Sequence, residues 1–257
     1  MDKLYVIKVG GAVVEEPAAL ERLLDAFVSV KGAKVLVHGG GREATRMAGK
    51  LGIETHMVNG RRVTDAPMLE VVTMVYAGKV NKDIVAGLRK RNVKAIGLSG
   101  ADAACMTSVR RSASPVDYGF VGDIKSVGGE VISLLIENDI IPVMIPITCD
   151  ENGQLLNTNA DSVAGAVAVA LSRHYDVTLV SCFEKNGVLA DPSDDSSVIP
   201  LIDRDLFKKL VSNGAVGGGM LPKLENAFAA LDGGVSEVLI TSSDNLGKAG
   251  CGTTIRL

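Results

Sequence analysis

The sequence predicts an α/β protein with parallel strands, and the first forty residues carry that expectation. An apolar run from Leu4 to Val9 ends in Gly10-Gly11, and a second from Val35 to His38 ends in Gly39 to Gly41. Between them, Glu16 to Val30 repeats Leu20, Leu23, Leu24 and Phe27 at helical spacing. Strand, helix and strand in this order form a parallel unit, because parallel neighbours need a crossover of a dozen or more residues. With 257 residues, 47% of them hydrophobic and 22% charged, the chain is long enough to bury a substantial core.

Each element follows from its own local signal. Leu4 to Val9 is too short for a helix and suits a buried strand, in which Lys8 is the anomaly: a charge at the mouth of the strand or an edge residue. Pro17 opens the helix that follows. In Val35 to Met47, VLVHGGGREATRM, a strand stops in three glycines and a helix begins. Uncovered N–H groups at a helix N-terminus attract anions, although a tight turn that binds nothing has the same beginning. In a parallel unit both glycine turns leave by the same sheet edge, where open α/β sheets bind ligands. Met57-Val58 and Val63-Thr64 flank Asn59-Gly60-Arg61-Arg62, a hairpin with two arginines at its tip, either solvated or forming a fork for a carboxylate. Asp65 caps a helix through about Ala77, with another from Lys79 toward Arg91; Leu69, Val72 and Val75 form a stripe for core or subunit contact.

Ala95 to Asp123 reads as a strand followed by an antiparallel excursion, and Gly128-Gly129 precede a helix through Glu137. Ile140 to Ile147 is a buried strand whose two prolines belong at its ends or at irregular places. Leu155 to Asp161 feeds a helix of small residues, and Asn157 and Asp161 either cap that helix or point into the mouth of the glycine loops. A second half has strands at Val177 to Cys182, Val235 to Thr241 and Gly252 to Arg256, and a helix at Asp203 to Val211. Pro192 to Ser197 reads as an exposed loop. Gly217 to Lys223 is a further glycine cluster at a helix start, with Lys223 just inside, and the boundary between halves falls near Ser172 to Asp176.

Several function classes drop out. A net charge of −3, without a run of five like charges, gives no electrostatic case for nucleic acid or an anionic membrane. Cys105, Cys149, Cys182 and Cys251 form no C-x-x-C pair and the three histidines are scattered, which argues against zinc. Neither a signal-peptide pattern nor a long apolar segment is present, so a reduced, cytoplasmic setting is expected. Gly39 to Ala44 matches the dinucleotide pattern G-x-G-x-x-A, but the Asn59-Gly60 hairpin stands where that pattern needs a strand ending in an acid, and the match lies on the second strand. G-x-x-x-x-G-K-[ST] occurs nowhere in the chain.

Five motifs in order, Lys8-Val9-Gly10-Gly11, His38-Gly39-Gly40-Gly41, Asn59 to Thr64, Asn157 to Asp161 and Gly218 to Lys223, resemble the amino acid kinase family, most closely its kinases of N-acylated glutamate. The resemblance implies a three-layer αβα sandwich around a mainly parallel sheet of about eight strands. It implies one domain over 1–257, with a lobe at 1–175 for the acyl-amino acid and dimer contacts and a lobe at 176–257 for ATP. The implied reaction passes the γ-phosphoryl of ATP to the side-chain carboxylate of the N-acylglutamate, a step of arginine biosynthesis; that carboxylate is ionised at neutral pH and needs no base. By the same resemblance Lys8 and Lys223 stabilise the transition state and Asp161 orients both. Gly40 and Gly41 face the acceptor, and Arg62 and Asn157 hold its α-carboxylate and neighbouring groups. Gly10, Gly11, Cys182, Gly187, Gly217, Gly218 and Gly219 serve the nucleotide. Mg2+ is expected on the ATP phosphates, without ligands from the chain.

One position departs from the family. Relatives carry an Asp after the Ser or Thr at the end of the first strand of the ATP lobe, where this chain has Cys182, so Glu184 substitutes or nucleotide affinity is altered. Arginine-inhibited relatives carry an extra N-terminal helix, whereas the first strand here begins within a few residues of Met1; a homodimer without arginine feedback is expected. N-acetyl is the default acyl group. N-succinylglutamate, an aminoadipate-type kinase with a protein-carried substrate, and a catalytically silent sensor are the alternatives.

Overall fold

A computed structural model describes the chain except residues 192, 213 and 218, so the expectations on Pro192 and Gly218 lie outside the described residues. Lys3–Val9 (β1) is buried almost without interruption, as a central strand covered on both faces must be. Gly11–Glu15 (α1) and Pro17–Ser29 (α2) follow; the Glu16 carboxylate accepts from the Ala18 and Ala19 N–H groups, and α2 buries Leu23, Leu24 and Phe27. Ala33–His38 (β2) lies parallel to β1, and Gly41–Lys50 (α3) starts at the third glycine.

The hairpin differs from expectation. Met57–Val58 (β3) pairs with Arg61–Arg62 (β4), and Asn59 (φ 49°) and Gly60 (φ 72°) are the two left-handed turn residues. A two-residue turn of this hand places the arginines on the return strand rather than at the tip. Ala66–Thr73 (α4) and Asn81–Lys90 (α5) join through a π-helical turn, Met74–Val80, and form one unbroken helical run.

Ala95–Leu98 (β5) joins the main sheet, while Met106–Arg110 (β6) and Gly122–Val127 (β7) form the antiparallel excursion. Gly129–Glu137 (α6) leads to Ile141–Met144 (β8), and Pro146 then breaks the single strand expected over Ile140 to Ile147. Its second part, Ile147–Cys149 (β9), pairs instead with β6 and Leu155–Asn157 (β10). Ala160–Leu171 (α7), Asp176–Phe183 (β11), Leu201–Ile202 (β12), Arg204–Ser212 (α8), Met220–Asp232 (α9), Glu237–Ser242 (β13) and Thr253–Ile255 (β14) complete the chain.

Among the described residues the main sheet has eight strands in the order β12-β14-β13-β11-β1-β2-β8-β5. All are parallel except β14, which runs against β13, and β12, which follows β14. Apolar clusters fill both faces: Leu23, Phe27, Val72 and Leu88 on one, Ile132, Val167, Leu171 and Phe228 on the other. The result is the expected three-layer αβα sandwich. The expected division after residue 175 falls between α7 and β11, and β11 pairs with β1 from Lys3↔Asp176 to Val9↔Cys182, so both segments share one sheet.

Candidate functional site

The glycine loops meet because β1 and β2 end side by side, with Val9 opposite His38. The Gly39 N–H donates to the Val9 carbonyl at 3.0 Å and the Gly10 N–H to the Cys182 carbonyl at 3.3 Å. A Cβ on Gly39 would lie 3.1 Å from the Gly11 nitrogen, and one on Gly40 would lie 2.9 Å from the Tyr76 ring. Close backbone approach is therefore the reason for glycine here. The Glu43 N–H in the first turn of α3 is taken by the Glu15 carboxylate at 2.8 Å.

Beside these loops opens a cavity of about 270 Å³, lined by Lys8, Gly11, Gly40, Gly41, Arg62, Asn157 and Asp161 among others. These seven residues come from four separated stretches of sequence, and the fold brings them together. Lys8 lies at the mouth of its strand with its side chain 8% exposed, and its Nζ is 2.9 Å from Asp161 Oδ1. Lys223, in the first turn of α9, approaches the same oxygen at 3.7 Å and shares a small adjoining hollow with Lys8 and Asp161. Asn159 caps α7, its Oδ1 accepting from the Asp161 N–H at 2.8 Å and the Ser162 N–H at 3.1 Å. Neither Asn157 nor Asp161 is the cap, which leaves the Asp161 carboxylate on the first helical turn free to reach both ammonium groups.

Electrostatics follow from this geometry. Burial pushes the Asp161 carboxyl upward, but Lys8 and Lys223 outweigh it and hold it below the ordinary carboxylate value. Burial drives the Lys223 ammonium below the ordinary lysine value, with Asp161 opposing and Lys8 adding to the fall. One carboxylate between two ammonium groups leaves a net positive centre suited to an anion.

On the other wall, the Arg62 fork donates from Nη2 to the Gly41 carbonyl and to Thr45 Oγ1, each at 2.8 Å, and from Nη1 to Thr55 Oγ1 at 3.3 Å. Asn157 Nδ2 donates to Thr64 Oγ1 at 2.9 Å. Of three further charged or aromatic lining residues, Arg61 was weighed with Arg62 as a carboxylate fork, and Tyr76 and Arg111 were not singled out. Tyr76 packs under Gly40 from the π-helical turn, Arg61 adjoins Arg62, and Arg111 enters from the antiparallel sheet, held to Asp123 with Nε 3.1 Å from both carboxylate oxygens. Arg61 has the same hairpin signal as Arg62; Tyr76 and Arg111 carry none in the local sequence.

The expected nucleotide residues separate. Gly10 precedes α1 and Gly11 opens it, with Gly11 lining the cavity, and Gly217 and Gly219 are exposed before α9 with open space where a Cβ would stand. Gly187 is buried away from the cavity, and a Cβ there would lie 2.7 Å from Thr253 Oγ1, so packing against β14 accounts for it. The Cys182 thiol is 0% exposed, packed in the core, and pushed up by burial to about 12. It belongs to the apolar cluster with Val9 and Val180 and is absent from the linings of the cavity and the adjoining hollow. Glu184 is exposed and pairs with Arg42 at 3.1 Å. Among the described residues no three His, Cys, Asp or Glu side chains cluster as a metal site, and no helix is long and apolar enough to cross a membrane.

An acetylglutamate kinase of Parabacteroides distasonis is 55% identical over 255 residues, covering 99% of this chain and 100% of its own. One of Phocaeicola vulgatus is 56% identical over 255 residues, covering 99% of each. The structure of a carbamate kinase from Giardia lamblia bound to AMP-PNP superposes with a TM-score of 0.73 at 16% identity, over 99% of this chain and 98% of that one, and shares the fold. The sequence profile of the amino acid kinase family matches residues 3–242, nearly the whole chain, and the protein belongs to that family.

Proposed function

We propose that the protein transfers the γ-phosphoryl group of ATP to the side-chain carboxylate of N-acetyl-L-glutamate, giving the acyl phosphate and ADP, in arginine biosynthesis. The observation that carries this reading is the Lys8–Asp161–Lys223 cluster beside two glycine loops, opposite the Arg62 fork. A carboxylate oxygen attacks the γ-phosphorus, the bond to the β-bridging oxygen breaks, and ADP leaves with that electron pair. No proton moves, and the cluster offers no general base. Lys8 and Lys223 neutralise charge on the phosphoryl group in flight, Asp161 keeps both ammonium groups aimed, and the Gly40 and Gly41 backbone faces the acceptor. Arg62 and Asn157 hold the α-carboxylate and its neighbours. Gly10, Gly11, Gly217, Gly218 and Gly219 receive the nucleotide. Asp161 is already committed to two lysines and no acidic cluster adjoins it among the described residues, so Mg2+ would be held by phosphate oxygens and water and would supply charge neutralisation.

A second acceptor, N-succinylglutamate, is favoured by the two extra guanidinium groups. Arg61 lines the cavity without an ion pair among the described residues, and Arg111 stands in the same wall. A succinyl group would present a further carboxylate to them. The test is hydroxylamine trapping of the acyl phosphate across N-acetylglutamate, N-succinylglutamate, aminoadipate derivatives and free glutamate. Hydroxamate from an N-acylglutamate supports the reading, the larger kcat/KM chooses the acyl group, and no hydroxamate from any acceptor sinks it. The reading also carries a cytoplasmic homodimer with lobes at 1–175 and 176–257. A sedimenting hexamer, or inhibition by arginine, would count against it.

A further inference from the structure

His38 is the last residue of β2, immediately before the glycine loop, and is 0% exposed. Its Nδ1 lies 2.8 Å from the Gly39 carbonyl oxygen. A carbonyl only accepts, so Nδ1 carries the proton and donates. Nε2 then presents a lone pair, and Asn81 Nδ2 donates to it at 3.2 Å. The second Asn81 N–H goes to the Val143 carbonyl at 3.1 Å, and Asn81 Oδ1 accepts from Lys82 Nζ at 3.1 Å. Strand β5 leaves room for this amide through Gly97, where a Cβ would lie 1.8 Å from Asn81 Oδ1. Each ring nitrogen and each amide atom thus has a partner, and turning the ring would leave buried polar atoms unpaired.

The consequence lies in the next peptide. Across a trans peptide the carbonyl of one residue and the N–H of the next point in opposite directions. With the Gly39 carbonyl tied inward to His38, the Gly40 N–H points away from the core, to the cleft side. Among the described residues that N–H has no acceptor, and Gly40 lines the cavity beside Lys8 and Gly11. The π-helical turn supports the arrangement from below: Tyr76 packs against Gly40, and Asn81, five residues and one π-turn further on, reaches His38.

We propose that His38 is a positioning residue for phosphoryl transfer: by anchoring the Gly39 carbonyl it aims the Gly40 N–H at the oxygen of the transferring group. The proposal rests on the phosphotransferase reading given above. Two substitutions separate it from a purely structural role. His38→Asn keeps a donor where Nδ1 stands, and His38→Gln keeps only an acceptor where Nε2 stands. With thermal midpoints matched, His38→Gln lowers kcat about 10- to 100-fold with both KM values nearly unchanged, while His38→Asn stays within about 5-fold of the parent. Binding of ADP with aluminium fluoride and the acceptor, a mimic of the group in flight, weakens in His38→Gln by a similar factor, whereas ADP alone binds equally to both. Equal kcat in the two variants, a loss that follows thermal stability, or a loss confined to KM would overturn the proposal. If the parent enzyme phosphorylates no N-acylglutamate, the functional reading falls and this proposal with it.

Discussion

Asp161 holds two ammonium groups with a single carboxylate oxygen. Removing it as Asp161→Ala would leave Lys8 and Lys223 facing each other unpaired, with an expected cost of about 3 kcal/mol or more for an uncompensated buried charge. Lys8→Ala and Lys223→Ala should each lower kcat by ~100-fold or more with small changes in KM, and Arg62→Ala should chiefly raise the acceptor KM by ~10-fold or more. Steady-state kinetics on the three variants checks this, and unchanged kinetics in Lys223→Ala would remove its transition-state role. Stability at acid pH tests His38. Burial lowers its pKa to about 4 while the unfolded chain keeps the ordinary 6.5, so the unfolded state takes up the proton first. The neutral ring's contribution is full above pH 6.5 and disappears as the pH falls toward 4, a loss of about 3 kcal/mol. Asp161, also shifted downward, adds a loss at lower pH still. Urea midpoints between pH 7 and 4.5 should fall more steeply for the parent than for His38→Asn; parallel slopes would contradict this. The lysines and Asp161 were legible because each stands inside a short motif. The cap of α7 was not, since Asn157, Asn159 and Asp161 all lie within one turn of the helix start. The His38–Asn81 bond joins residues 43 apart, and no local pattern announces such a pair.

Elements set the angles at which these residues meet. The Asn159 cap fixes the start of α7 and with it the direction of Asp161. Asn159→Ala should cost about 1 kcal/mol of stability and lower kcat as well, because the carboxylate loses its bearing on the lysines. A thermal shift and a rate measurement test the two effects separately; a stability loss with an unchanged rate would show that the cap does not orient Asp161. Gly97→Ala would drive a methyl group into Asn81 Oδ1, and a loss of about 1–3 kcal/mol in chemical denaturation is expected. Amphipathic helices and buried strands were legible at this scale because their periodicity is local. The π-helical turn was not: i→i+5 bonding has no clear sequence signature, and the run appeared as two helices. In the hairpin the sequence identified the turn, but Asn59 and Gly60 alone form it, and so Arg62 lies inside a strand with its fork held by α3.

At the scale of the molecule, one sheet aligns both halves of the site. β1 delivers Lys8, β2 delivers the glycine loop, and β11 beside β1 begins the segment that returns through α9 with Lys223. The parallel pairing of β1 and β2 follows from sequence, because glycine turns after successive apolar runs joined by a helix require a common edge, whereas the place of β11 beside β1 is set by long-range pairing. The small antiparallel sheet was legible only as an excursion, since Pro146 moves β9 out of the main sheet and long-range pairing decides where it lands. The central claim is direct attack of the acceptor carboxylate on the γ-phosphorus in this cleft. The most direct measurement follows the oxygen: an N-acylglutamate labelled with 18O in its side-chain carboxylate is incubated with ATP and hydroxylamine, and the released phosphate is analysed by mass spectrometry. Hydroxylamine attacks the acyl carbon and expels the bridging oxygen with phosphorus, so phosphate carrying one 18O is the expected result. Hydroxamate formed alongside unlabelled phosphate would contradict direct transfer.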